Sequence, residues 1–262
     1  MSILINQLLF LPTILLHGIG GDINDLNELK GSLNEYNIPV YNIEIGNGKL
    51  DSIFMNMNKQ CEILSQNIEK LNINGKINII GISQGGLLGR CYVEKYSDKI
   101  NRVNSLITLG TPHMGIYNKN IELKRLEYWK NPFKYQEYLD NNDFLIYLNN
   151  AKSHEEYNNY KNNLQSLNNF IIIWSSIDNV ITPFESSKFE FYDVKNIDPL
   201  NIIDLDQSEI YNEDRIGLKY LNDNKRLVIK QYDCNHEDFK KPNCYLNNSD
   251  HVTLLNFFIN FL

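Results

Sequence analysis

The run Ile77–Tyr96, INIIGISQGGLLGRCYVEKY, places Ser83 between Gly81 and Gly85. The residues before it are apolar and β-favouring, and a helix-like stretch follows. A serine hydroxyl is a weak nucleophile until a base takes its proton and a sharp turn presents its oxygen. Gly-x-Ser-x-Gly at a strand-to-helix junction suits that task. Side chains flanking such a turn would collide, and the helix beginning at Gln84 aims the positive end of its dipole at the serine. The chemistry would be acyl transfer. The alternative is an ordinary glycine-rich connection, which the strand before and the helix after make the weaker reading.

Acyl transfer needs two backbone N–H groups aimed at the developing oxyanion. One would be that of Gln84, directly after the nucleophile. The other would come from His17-Gly18-Ile19-Gly20-Gly21, a glycine-rich loop after the first strand, and Ile19 is the choice because its glycine neighbours let the amide turn inward. His17 itself is assigned to packing or hydrogen bonding beneath that loop. The remaining members of a triad must follow in the order acid, then histidine. Asp178 sits just past the strand-like FIIIWSS, where a strand-end loop carries an acid. Asp193, Asp204 and Asp206 lack that position and read as solvated surface charge. His236 lies just past the strand RLVIKQY. Its rival, His251, falls where the last helix opens and reads as a capping or surface residue. His113, in LGTPHMG, precedes the acid and fails the order.

The elements that must hold these residues alternate along the chain. Strands are expected over Pro12–His17, Pro39–Ile45, Lys76–Ile82, Val103–Leu109, Phe170–Ser175 and Arg226–Tyr232. Helices are expected over Leu26–Tyr36, Ser52–Leu71, Gln84–Tyr96 and Val252–Phe261. This alternation predicts an α/β protein with a mostly parallel sheet covered on both faces. The segment 118–169 has no strand and many tyrosines, and reads as a helical cap inserted between two sheet strands of a single domain. Its plainer reading is a helical pair decorating the surface.

With 262 residues the chain can bury one large α/β core. The net charge of −7 and the lack of a basic stripe exclude a nucleic-acid partner. Asparagine pairs such as Asn141-Asn142 are interrupted by apolar residues and read as solvated faces. No apolar run reaches the roughly 18 residues a spanning helix needs. The opening MSILINQLLFLPTILLHG lacks a basic leader and a small-residue cleavage site, so no secretory signal is visible in this numbering. Four cysteines, Cys61, Cys91, Cys234 and Cys244, and the sequon Asn247-Asn248-Ser249 lean toward the secretory pathway. None has metal-site spacing.

Taken together these stretches resemble the palmitoyl-protein thioesterases. GISQGGLLGR resembles their nucleophile elbow, and IDNVITPFESSKFEFYD their acid loop, in which a proline and an aromatic-rich run follow the acid. LEYWKNPFKYQEYLDNNDFLIYLNN is similar to their cap segment, and YNEDRIGLKYL to their D-R-x-G-L-K stretch. The matches run in order from His17 to the C-terminus. The resemblance implies an α/β-hydrolase fold, removal of long fatty acyl groups from cysteine thioesters, and a lysosomal address. It puts the triad on Ser83, Asp178 and His236 and the oxyanion amides on Ile19 and Gln84.

The expected function is therefore a serine hydrolase acting on S-acylated proteins or related acyl thioesters, with no cofactor and no metal. A dry groove roofed by the cap would hold the acyl chain, each buried methylene contributing about 0.8 kcal/mol. A lipase or carboxylesterase would use the same triad on oxygen esters, and the triad alone does not separate the two. Cys61 and Cys91 lie on successive helices, which right-handed crossovers can set side by side, so a bridge between them is reasonable if their Cα atoms come within about 7 Å. The resemblance also implies a disulfide between these helices, about one turn later on both. Cys234 and Cys244 would then pair around His236. Four free thiols in a reducing compartment are the other possibility.

Overall fold

The computed structural model describes residues 10–97, 102–120, 123, 125–198, 200–242, 244 and 252–262. His251 and the sequon Asn247-Asn248-Ser249 lie outside the described residues. In chain order the elements are β1 (Thr13–Leu16), α1 (Asn27–Glu35), β2 (Val40–Asn42), α2 (Lys49–Phe54), α3 (Met57–Lys70), β3 (Ile77–Ile82), α4 (Gln84–Tyr96) and β4 (Val103–Leu109). They continue with α5 (Tyr135–Asn141), α6 (Leu145–Leu148), α7 (Tyr157–Gln165), β5 (Asn169–Trp174), β6 (Phe191–Tyr192), β7 (Ile202–Ile203), α8 (Glu209–Asn212), α9 (Leu218–Asp223), β8 (Leu227–Gln231) and α10 (Leu254–Phe258).

Six strands form one sheet in the order β2-β1-β3-β4-β5-β8, and every neighbouring pair is parallel. Parallel strands need crossovers, and those crossovers cover both faces. The side chains sort with the two-residue period of a strand. Ile79, Leu106 and Phe170 enter one core with Leu64 of α3, Leu87 of α4 and Leu164 of α7. Their neighbours Ile80, Ile107 and Ile171 enter the other, against Leu29 and Leu33 of α1 and Leu254 and Phe258 of α10. A continuous apolar strand is what burial on both faces requires. β6 and β7 form a separate two-stranded antiparallel ribbon, too short to leave a periodic signal in the sequence.

The helix expected over Ser52–Leu71 is two helices. Met55 is extended (φ −76°, ψ 138°), and the Asn56 side chain accepts from the Asn58 and Lys59 amides, capping α3. An asparagine ahead of an amphipathic run competes with the helix it would otherwise continue, and here the cap wins. Between β4 and β5 the chain runs through a 3₁₀ turn at Pro132–Lys134, then α5, α6 and α7. Asn149, just after α6, accepts at 2.6 Å from the Arg90 guanidinium of α4, and the side chain of Asn163, on α7, donates at 2.8 Å to the Glu94 carbonyl of the same helix. No helix among the described residues is long and apolar enough to cross a membrane.

Candidate active site

Because the six strands are parallel, the loops after β1, β3, β4, β5 and β8 all emerge at one edge of the sheet. Ser83 follows β3 there with φ 55° and ψ −125°, a conformation that costs a non-glycine residue about 1–3 kcal/mol and persists only when its surroundings fix it. Its amide donates to the Leu109 carbonyl at 2.8 Å and its carbonyl accepts from the Gly86 amide at 3.0 Å. The flanking glycines are required by close approach. A Cβ on Gly81 would lie 2.5 Å from the Gly85 carbonyl oxygen, and one on Gly85 would lie 2.4 Å from that of Leu16. The serine is covered rather than exposed, with 6% of its surface reaching solvent. The loop after β1 is its cover: a Cβ on Gly18 would sit 3.1 Å from the Ser83 Cβ and 3.7 Å from its Oγ.

That loop turns over Ile19 and Gly20, with Gly20 at φ +69° and the Gly21 amide donating to the Gly18 carbonyl at 3.2 Å. The Gly20 amide donates to Ser52 Oγ at 2.8 Å. The Ile19 amide has no hydrogen-bond acceptor among the described residues. Gln84 opens α4, so its amide has no intrahelical acceptor either. Two N–H groups without an internal partner thus belong to the loop and the turn that meet at Ser83.

Asp178 and His236, 58 residues apart, are joined: His236 Nδ1 donates to Asp178 Oδ2 at 2.8 Å. The second carboxylate oxygen accepts from the Val180 and Ile181 amides at 2.9 and 3.0 Å, which fixes the carboxyl plane. Both side chains are almost wholly buried. The Phe239 ring meets His236 edge-on, and the 3₁₀ turn His236–Lys240 lies between Cys234 and Cys244, which are bridged with a Cα separation of 5.7 Å. Asp204 and Asp206 are exposed, and Asp193 Oδ1 is taken by the Lys195 amide.

A family model described as palmitoyl protein thioesterase matches residues 12–236, from β1 through His236. The chain belongs to the palmitoyl protein thioesterase family. A relative named palmitoyl-protein thioesterase 3, from Dictyostelium discoideum, is 34% identical and the match covers 88% of each chain. Another, named lysosomal thioesterase PPT2 homolog, from Drosophila melanogaster, is 28% identical over 85% of this chain and 84% of its own. Among solved structures, a lipase-esterase related protein from Clostridium acetobutylicum superposes with a TM-score of 0.50 at 14% identity, covering 98% of this chain and 96% of that one. A bromoperoxidase from Bacillus anthracis gives 0.52 at 13% identity, covering 88% and 87%. These structures share the α/β-hydrolase fold.

Two other histidines of this thioesterase-family chain, His17 and His113, have structural contacts. His17 hydrogen-bonds beneath the loop after β1, with Nδ1 2.9 Å from the Gly18 carbonyl and Nε2 3.2 Å from Glu44 Oε1. His113 is fully buried, 3.0 Å from Thr108 Oγ1 and stacked on Phe189 at 4.3 Å. Burial, aided by the nearby Arg90 guanidinium, holds it well below the ordinary histidine range, so it stays neutral.

Two features escape sequence reasoning. One is a cluster of buried polar residues behind the elbow, in which the Tyr128, Gln84 and Gln60 side chains bond in series and Gln84 also donates to the Ser52 carbonyl. The other is Lys130. Its ammonium lies 4.3 Å from the Phe191 ring centre and 5.5 and 5.7 Å from those of Tyr135 and Tyr138, and burial pushes it down to about 7. It borders a cavity of about 490 Å³ that the Ser83, Asp178 and His236 side chains do not line.

Proposed function

We propose that this chain hydrolyses long-chain fatty acyl thioesters of cysteines in S-acylated proteins, with Ser83 as nucleophile, His236 as base and Asp178 as the residue that orients the base. With its Nδ1–H donated to Asp178, the imidazole carries its lone pair on Nε2, the nitrogen that would take the Ser83 proton. Ser83 Oγ attacks the thioester carbonyl, and the amides of Ile19 and Gln84 hold the oxyanion. Collapse expels a cysteine thiol whose reference pKa is about 8.5, so protonation by His236 is less demanding than for an alkoxide. Water, deprotonated by the same Nε2, then releases the fatty acid. The described residues between 118 and 169 would serve as a cap over this edge. Ile177 and Val180, on either side of the Asp178–Asn179 pair, are 50% and 52% exposed and offer apolar surface beside the site to an acyl chain.

The observation that carries this reading is the 2.8 Å bond between His236 and Asp178, formed at the sheet edge where Ser83 sits in its left-handed turn. The compartment is proposed as lysosomal or secretory. The two disulfides suit an oxidising environment, and the Drosophila melanogaster relative is named a lysosomal thioesterase. The test compares hydrolysis of a palmitoyl thioester with that of its matched oxygen ester, with Ser83→Ala as control. The thioester should be the better substrate, and the variant should lose on the order of 10⁶ in kcat. A faster oxygen ester would make the protein a carboxylesterase or lipase. Activity of Ser83→Ala within about tenfold of the parent would remove the serine assignment.

A further inference from the structure

Behind the elbow, four polar side chains are buried where an apolar core would be cheaper to build. Tyr128 is 3% exposed, Gln84 and Ser52 are 2%, and Gln60 is 1%. Each polar atom has a partner. The Tyr128 hydroxyl donates to Gln84 Oε1 at 3.0 Å. Gln84 Nε2 donates to Gln60 Oε1 at 3.0 Å and to the Ser52 carbonyl at 2.8 Å. Gln60 Nε2 donates to the Met55 carbonyl at 2.7 Å, closing the break between α2 and α3. Ser52 Oγ donates to the Lys49 carbonyl at 2.7 Å and accepts from the Gly20 amide at 2.8 Å. The chain of bonds therefore runs from residue 128, between β4 and β5, through the residue after the nucleophile, to the loop that carries Ile19.

We propose that Tyr128, Gln60 and Ser52 are positioning residues that set the spacing of the Ile19 and Gln84 amides, so that the segment between β4 and β5 holds the oxyanion site in register. The proposal rests on the serine-hydrolase reading above. The geometry gives it a specific form. The Gln84 side chain is clamped at both ends of its amide, which leaves the Gln84 backbone no freedom to rotate its N–H. The Gly20 amide is pinned by Ser52, which fixes the peptide following Ile19. A single hydroxyl on Tyr128 completes the amide's set of partners, and burial raises that phenol above its ordinary range, so it remains a donor. These side chains touch the residues that bind the oxyanion and never the substrate. Their loss should therefore appear in transition-state binding and leave ground-state binding alone.

The experiment uses Tyr128→Phe, with Ser52→Ala as a second variant cutting the chain at its other end. Three quantities are read: kcat and KM on a palmitoyl thioester, and the affinity of an alkyl trifluoromethyl ketone, whose hemiketal oxygen occupies the oxyanion position. A misplacement well under an ångström should cost about ten- to hundredfold in kcat. KM should stay within about twofold, and the ketone should weaken by the same factor as kcat. Thermal unfolding is recorded for each variant. If kcat and ketone affinity stay at the parent's values in the variants, whatever happens to the melting temperature, the cluster is packing alone and the proposal is overturned. Labelling of Ser83 by a fluorophosphonate separates the two levels. A parent that neither labels at Ser83 nor turns over thioester fails the serine-hydrolase reading, and the positioning role falls with it. A parent that labels, with unaffected variants, fails only the positioning role.

Discussion

At the scale of single residues, Asp178 shows how one carboxylate does two jobs. Oδ1 accepts two backbone amides and shapes the loop, while Oδ2 accepts from His236 Nδ1. Asp178→Asn separates them. The amide oxygen can go on accepting from Val180 and Ile181, so the loop should keep its shape. The amide nitrogen would then face His236 and act as a donor, so the ring must present a lone pair at Nδ1 and carry its proton on Nε2. That tautomer cannot take the serine proton. The expected result is a loss on the order of 10⁴ in kcat with an unchanged circular dichroism spectrum and melting temperature. A loss under about tenfold would mean that His236 is oriented by something else. His236→Ala should be nearly as severe as Ser83→Ala, since the proposed base and nucleophile would act as one unit.

At the scale of elements, the segment between β4 and β5 is attached to the start of α3 through a titratable contact. The Glu127 carboxylate accepts from the Met57 amide and from Asn56 Nδ2, next to Asp143 and within the influence of Lys95. Burial first, and then the hydrogen bond with the Asp143 carboxyl, pushes Glu127 up to about 7 from 4.5. The folded protein therefore holds a proton here that the unfolded chain gives up, and between about pH 4.5 and 7 stability falls as pH rises. Glu127→Gln keeps an acceptor for the Met57 amide and removes the titration. Melting temperature plotted against pH should fall less steeply for the variant than for the parent across that window. Parallel curves would show that Glu127 does not titrate with folding. Glu94, buried against Arg90 at 2.8 Å and pushed up to about 8 chiefly by burial, contributes equally to both curves and cancels in the comparison.

This scale also shows what the sequence could and could not disclose. The six sheet strands and the elbow were legible because strands buried on both faces are unbroken apolar runs and because the turn at Ser83 admits only glycine on either side. Chain order and strand ends singled out Asp178 and His236, which the fold joins by a hydrogen bond. The break between α2 and α3 was not, since Asn56 interrupts an otherwise continuous amphipathic pattern. Nor was the bond from Tyr128 to Gln84, which joins residues 44 apart with no periodicity between them.

At the scale of the whole molecule, the sheet divides the protein into two cores, and each is tied by one disulfide. α3 and α4 lie on the same face, where Cys61 and Cys91 are fully buried and bridged with a Cα separation of 6.3 Å. Cys234 and Cys244 belong to the other core, with Phe239 and Leu254. The bridges differ in what they constrain. Cys61–Cys91 closes a separation of 30 residues and Cys234–Cys244 one of 10, so chain entropy assigns about 3–4 kcal/mol to the first and about 2–3 kcal/mol to the second. The first links two helices that pack against the strand leading into Ser83, and its loss should leave folded geometry at the site intact. The second encloses the turn that carries His236, so its loss should admit local opening there before global unfolding. The double variants Cys61→Ala/Cys91→Ala and Cys234→Ala/Cys244→Ala can then be compared by urea denaturation and by kcat at 25 °C. The first should lose more global stability while keeping kcat within about twofold, and the second should lose less stability but more activity. The reverse order in both measurements would mean that the turn bearing His236 is held by Phe239 and the Asp178 bond alone, with the bridge beside it contributing nothing to its position.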